Sequence, residues 1–95
     1  MENEKTKKVR FALGDVYVTR GVNTDLTPDE IRSVICRHAK GDWGVVGKED
    51  WEQNEEALKH NARLFSVYKL ESGRRIWVIT EADRSSTTVL FPEEY

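Results

Sequence analysis

A single cysteine, Cys36, stands in the 95 residues, so no disulfide can form within the chain and the oxidised scaffolds of small secreted domains are excluded. The sequence lacks an apolar run of membrane-spanning length and a secretory signal pattern, which sets the expectation of a cytoplasmic protein that makes no use of a membrane. A strong excess of either charge is missing too. Lys and Arg number 15 against 17 Asp and Glu, a formal net charge of −2, and that balance argues against a broad phosphate-neutralising face while leaving room for a small local site. Internal repeats, linkers and low-complexity stretches do not occur, so residues 1–95 read as one domain.

With 38% hydrophobic and 34% charged residues the composition suits an ordinary globular protein with one modest core. The charge is unevenly placed. Residues 1–10 hold four cations against two carboxylates, and residues 1–8 read as a flexible polar leader; residues 48–59 hold five carboxylates against two lysines.

Residues 63–91 carry the clearest pattern. Leu64–Lys69, Arg75–Thr80 and Ser86–Phe91 are rich in β-branched and aromatic residues, and Glu71-Ser-Gly-Arg74 and Glu81-Ala-Asp-Arg-Ser85 separate them with turn chemistry. A three-stranded antiparallel meander follows, with both faces of Ile76–Ile79 apolar, as befits a central strand covered fully on one side and partly on the other. Before it, Val9–Val18 alternates loosely around Gly14. Asp15–Thr19 is the better strand and is expected to join the meander, and residues 21–26 read as a loop.

Two helices fill the middle. The first opens with Thr27 as N-cap, Pro28 behind it and Glu30 three residues on, and Gly41 stops it; Ile31, Val34, Ile35 and His38 form its apolar stripe. The second spans about Lys48 to His60, with Asp50 and Gln53 at capping-box spacing, Glu55/Lys59 and Glu56/His60 as i,i+4 pairs, and Asn61 as its left-handed cap. Trp43 anchors the glycine-flanked turn between them. The expectation is an α+β fold, two helices packed on an antiparallel sheet of about four strands, in the order β-α-α-β-β-β.

No metal site is expected, because Cys36 and His38 lie two apart on a helix and point roughly opposite ways, and no cofactor is implied. Cys36 reads as a small buried thiol without catalytic use. Two functional readings stand side by side. Metal-independent RNA cleavage needs a base, an acid and a cation over the phosphate, and His38, Arg84 and Thr88 are the candidates, with RNA as the partner. Each also has a plain structural account: a core-edge histidine, a turn arginine and a strand threonine. Recognition of a protein partner instead draws on the many large aromatics, with Trp43, Trp51, Tyr68 and Arg84 as candidate contacts, Trp51 the most exposed of them. An uncovered sheet edge or face could also pair with a second copy as a homodimer.

The segment Arg37-His38-x-x-Gly41-Asp42-Trp43-Gly44, then Asn54-x-x-Ala57-Leu58, Ser66-Val67-Tyr68 and the run from Ile76 to Tyr95, resembles a family of small plasmid-related bacterial proteins. Its members travel with plasmids and other mobile elements. The resemblance implies that setting, an accessory role such as defence evasion or element maintenance, and no particular reaction. A looser similarity of layout points to barnase/EndoU/RelE-like nucleases, with His38 and the run from Thr87 to Pro92 as the matching positions; it implies the ribonuclease alternative, from which the acidic balance departs.

Overall fold

The structure, a computed structural model, describes residues 8–95; nearly all of the leader lies outside them. Strand β1 (Asp15–Val18) leads into helices α1 (Arg20–Asp25), α2 (Pro28–Ala39) and α3 (Lys48–His60), and strands β2 (Leu64–Lys69), β3 (Arg75–Thr80) and β4 (Ser86–Leu90) follow, closed by a 3-10 turn over Pro92–Glu94. The α+β class and the four strands are as expected. The sheet is mixed, however, not antiparallel: its order is β1-β4-β3-β2, and β1 runs parallel to β4.

Topology explains the parallel pair. A strand followed by helices returns to the sheet pointing the same way, so β2 is parallel to β1. Two hairpins then reverse the chain twice, from Lys69↔Arg75 pairing into β3 and from Thr80↔Thr87 pairing into β4. β4 thus reaches β1 in the same direction. Gly14 permits the approach, since it sits at φ +66° and a Cβ there would lie 2.3 Å from the Ser85 carbonyl oxygen.

Helix α2 forms as its signals dictate. Thr27 accepts from the Glu30 N–H at 3.1 Å and Glu30 returns a carboxylate to the Thr27 N–H at 2.8 Å, which satisfies two of the orphan donors. Asn61 closes α3 at φ +54°. Other expectations need correction. Residues 21–26 are mostly helix, with Thr19 as N-cap and Val22 buried; a helix this short shows no periodicity, and Gly21 in its first turn hides it. The N-cap of α3 is Gly47, so the Asp50/Gln53 box does not form. Glu55 takes Arg10 rather than Lys59, and Lys59 meets Glu56 at 3.7 Å. Cys36 is exposed, off the buried stripe made by Val34 and His38.

One face of the sheet carries the core. Tyr68, Ile76, Val78 and Val89 pack against Val22, Leu26 and Val34 from α1 and α2, and Leu64 packs on Trp43 and Ala57. The outer edge of β2 is closed by other groups. Asn54 gives its amide N–H to the Phe65 carbonyl at 2.8 Å and takes the Phe65 N–H at 3.0 Å, while Trp43 and Val45 bond both backbone groups of Val67. Side-chain amide and loop together act as a partial fifth strand.

Candidate functional site

Between the two apolar clusters lies a polar chain that α2 and the sheet assemble. His38 is fully buried. Its Nδ1 is 2.6 Å from Ser66 Oγ and its Nε2 2.9 Å from Thr80 Oγ1, Thr80 reaches Thr87 at 2.7 Å, and Thr87 donates to the Leu13 carbonyl at 2.7 Å. The carbonyl can only accept, which fixes the protons back to the imidazole: Thr87 donates to Leu13, so Thr80 donates to Thr87 and His38 donates from Nε2 to Thr80. Ser66 can give or take a proton, so it is full burial that keeps the ring neutral and leaves Nδ1 to accept from Ser66. Burial, with the charge of Arg84 nearby, lowers the His38 pKa to about 3. Phe11 and Trp43 set ring edges and faces against the imidazole at 5.2 and 5.6 Å.

The other residues singled out by the sequence are placed as follows. Arg84, itself at φ +61°, donates to the carbonyls of Ala57, Ala62, Glu81 and Ala82 at 2.7–3.1 Å; it closes the C-terminal end of α3 onto the last turn. Thr88 pairs with Ile79 and Tyr17 in register and so projects from the opposite side of the sheet to Thr80 and Thr87. Arg84 thus stands near His38 while Thr88 does not, and the three do not converge on a cleft open to solvent. Trp43 is buried with its indole N–H on Glu55 at 2.9 Å. Tyr68 is buried and donates to the Asp42 carbonyl at 2.6 Å, and burial pushes its pKa up. Trp51 alone among the named aromatics reaches the surface, at 36% exposure.

The candidate ligand surface is the second face of the sheet: among the described residues the helices of both core clusters pack on the first face, and only the 3-10 turn lies against β3 here. Alternation puts Phe65, Val67, Trp77, Ile79, Thr88, Leu90 and Tyr17 there. Trp77 sits between Phe65 and Tyr95, with edge-to-face contacts at 5.0 and 5.6 Å. These rings, with Ile79 and Arg63, line a groove of about 250 Å³. Arg63 forms its polar wall: the guanidinium donates to the Tyr95 hydroxyl at 3.0 Å, faces the Tyr95 ring at 5.7 Å and lies 3.7 Å from Glu81. Past Arg63 and Phe65 the groove opens into a wider cleft of about 410 Å³ against α3, where Gln53, Glu56 and His60 stand. Sequence reasoning found the apolar double face of β3 but not Arg63, and it gave Tyr95 no place on the sheet. The signal was there in the spacing: Pro92 ends the strand ladder, and an aromatic three residues past it can turn back over the sheet.

Comparison with protein-family models, with curated proteins and with solved structures finds no match to this chain.

Proposed function

We propose that the protein acts by binding a macromolecular partner, specifically another protein, on the open face of its sheet. The observation that carries this reading is the groove around Trp77. It combines Trp, Tyr and Arg, the residue types that dominate binding energy at protein interfaces, in one half-buried patch. Its size suits one or two large apolar side chains of the partner. Glu81 beside Arg63 favours a protein over a run of phosphates. The resemblance of residues 37–95 to plasmid-related proteins supports, as part of the proposal, an accessory role in a bacterial mobile element, in defence evasion or element maintenance.

The ribonuclease alternative would need His38 at the solvent as acid or base. The ring is enclosed and both its nitrogens are engaged in the buried chain, so binding is the reading adopted. No helix among the described residues is long and apolar enough to cross a membrane.

The test is comparative capture from host lysate, with the wild type, Tyr95→Asp and Glu52→Lys as baits of equal stability. A protein held by the wild type and Glu52→Lys but released by Tyr95→Asp supports the proposal. Loss with Glu52→Lys and retention with Tyr95→Asp would move the contact to the acidic helix and overturn it. Cleavage of mixed-sequence RNA in chelator, by wild type and His38→Ala, checks the alternative; the expected result is no cleavage by either.

A further inference from the structure

The two edges of the sheet are treated differently. The edge at β2 is closed by Asn54 and the loop around Gly44, but the edge at β1 has no such cover among the described residues. β1 carries three consecutive exposed apolar side chains, Val16, Tyr17 and Val18, at 43, 55 and 37%. It holds no proline, lysine or bulge of the kind that blunts an edge strand. The Asp15 and Thr19 N–H groups point to β4, bonding Ser85 and Val89 at 3.0 and 3.1 Å. By alternation Val16 and Val18 direct their backbone N–H and C=O groups at the free edge.

We infer that β1 pairs antiparallel with β1 of a second copy about a two-fold axis at Tyr17, joining the two four-stranded sheets into one of eight strands. The register follows from the donors. Val16 and Val18 are the outward-bonding residues, so each faces the other across the axis, and two such pairs supply four backbone hydrogen bonds. Tyr17 then meets Tyr17 of the second copy at a pair without backbone bonds, where side chains approach closest. The four valines form one β-branched cluster on the helix side, and the two tyrosines lie together on the open side. Charges agree with this register. Asp15 falls opposite Thr19 of the second copy rather than opposite its own mate, and Arg20, next along, brings a cation to that end. A shift by one residue loses the donors, because it sets the valines against residues whose N–H groups already serve β4, and a shift by two replaces one valine pair with Gly14 or Arg20. A two-fold contact of this kind is self-limiting, because the far edges at β2 stay closed and no fibre can grow.

The experiment is cysteine trapping at the axis. In a Cys36→Ser background, Tyr17→Cys places two thiols on Cα atoms about 4.5 Å apart, within disulfide reach. Mild oxidation should convert most of the Tyr17→Cys protein to a covalent dimer, at least tenfold faster than a Trp51→Cys control in the same background. Sedimentation over a concentration series should show a reversible wild-type dimer, and Val16→Lys/Val18→Lys should be monomeric. A wild type that stays monomeric up to about millimolar concentration, or a dimer in which Tyr17→Cys links no faster than Trp51→Cys, overturns the inference. Should the double lysine variant fail to fold by circular dichroism, the trapping rates alone decide.

Discussion

Mild acid should loosen this fold through His38. The ring is fully buried and neutral, with its pKa lowered from 6.5 to about 3, whereas in the unfolded chain it titrates near its ordinary value. Above pH 6.5 neither state carries the proton, so the stability of the neutral arrangement is fully present. As the pH falls below 6.5 the unfolded state takes up a proton that the folded state refuses, and stability is lost until the folded pKa is reached. From pH 6.5 to 5.0 that is roughly 1.5 pH units at about 1.4 kcal/mol each, or about 2 kcal/mol. For a domain of this size the loss corresponds to a Tm lower by about 8–16 °C. Stopping at pH 5.0 keeps the measurement above the range of Glu55 and Glu94, whose pKa values are held down from 4.5 by Arg10 and by Thr19 respectively. Thermal melts at pH 7.5 and 5.0 on the wild type and on His38→Gln give the answer. His38→Gln is expected to be less stable at neutral pH but nearly flat over this window. A wild type that melts at one temperature throughout, or a glutamine variant with the same slope, would refute the account of a neutral buried imidazole.

Other expectations concern the scaffold and the open face. Asn54→Leu leaves the N–H and C=O of Phe65 without their partner and should cost about 2–4 kcal/mol in urea unfolding. Gly44→Ala places a Cβ 1.9 Å from the Val67 carbonyl oxygen at φ +82° and should destabilise strongly, by more than about 2 kcal/mol, while Gly47→Ala, with nothing near the added carbon but at the N-cap of α3, should cost no more than about 1 kcal/mol in the same assay. Tyr95→Ala uncovers Trp77; iodide quenching of tryptophan fluorescence should rise with a stability change below about 1 kcal/mol, and unchanged quenching would contradict the packing described. Ellman's reagent should titrate Cys36 in the native protein as fast as in denaturant, because the thiol is exposed.

What could be read from the chain was whatever local chemistry decides. Thr27, Pro28 and Glu30 name a helix start by their own hydrogen bonds, Asn61 names its end, and β-branched runs split by Ser-Gly and Asp-Arg-Ser name a meander. Long-range choices were not legible in the same way. The parallel pairing of β1 depends on where three intervening helices and two hairpins leave the last strand, which no window around Asp15 contains. His38 was visible on the edge of an apolar stripe, yet its enclosure required Ser66, Thr80 and Thr87, spaced up to 49 positions away, to arrive on one face of the sheet. Arg84 reads as a turn residue until the carbonyls at the end of α3 are placed around it. For the open face, the aromatic content was evident but the fold-back of Tyr95 onto Trp77, with Arg63 as its clamp, was not.

The pairing of β1 with β4 has a consequence for how the chain is made. Asp15 meets Ser86 and Val18 meets Val89, so β1, synthesised well before β4, finds its neighbour only when β4 has been added. Loop closure over such a span is slow compared with hairpin formation, so the meander β2-β3-β4 can assemble well before β1 docks. During that interval Val16, Tyr17 and Val18 wait unpaired on a growing chain, and the β4 edge waits for them. Pulse-labelling hydrogen exchange during refolding should find the β1 amides protected last, after those of β2 and β3; simultaneous protection would mean that β1 and β4 meet early. Birth order and folding order run opposite ways in this protein.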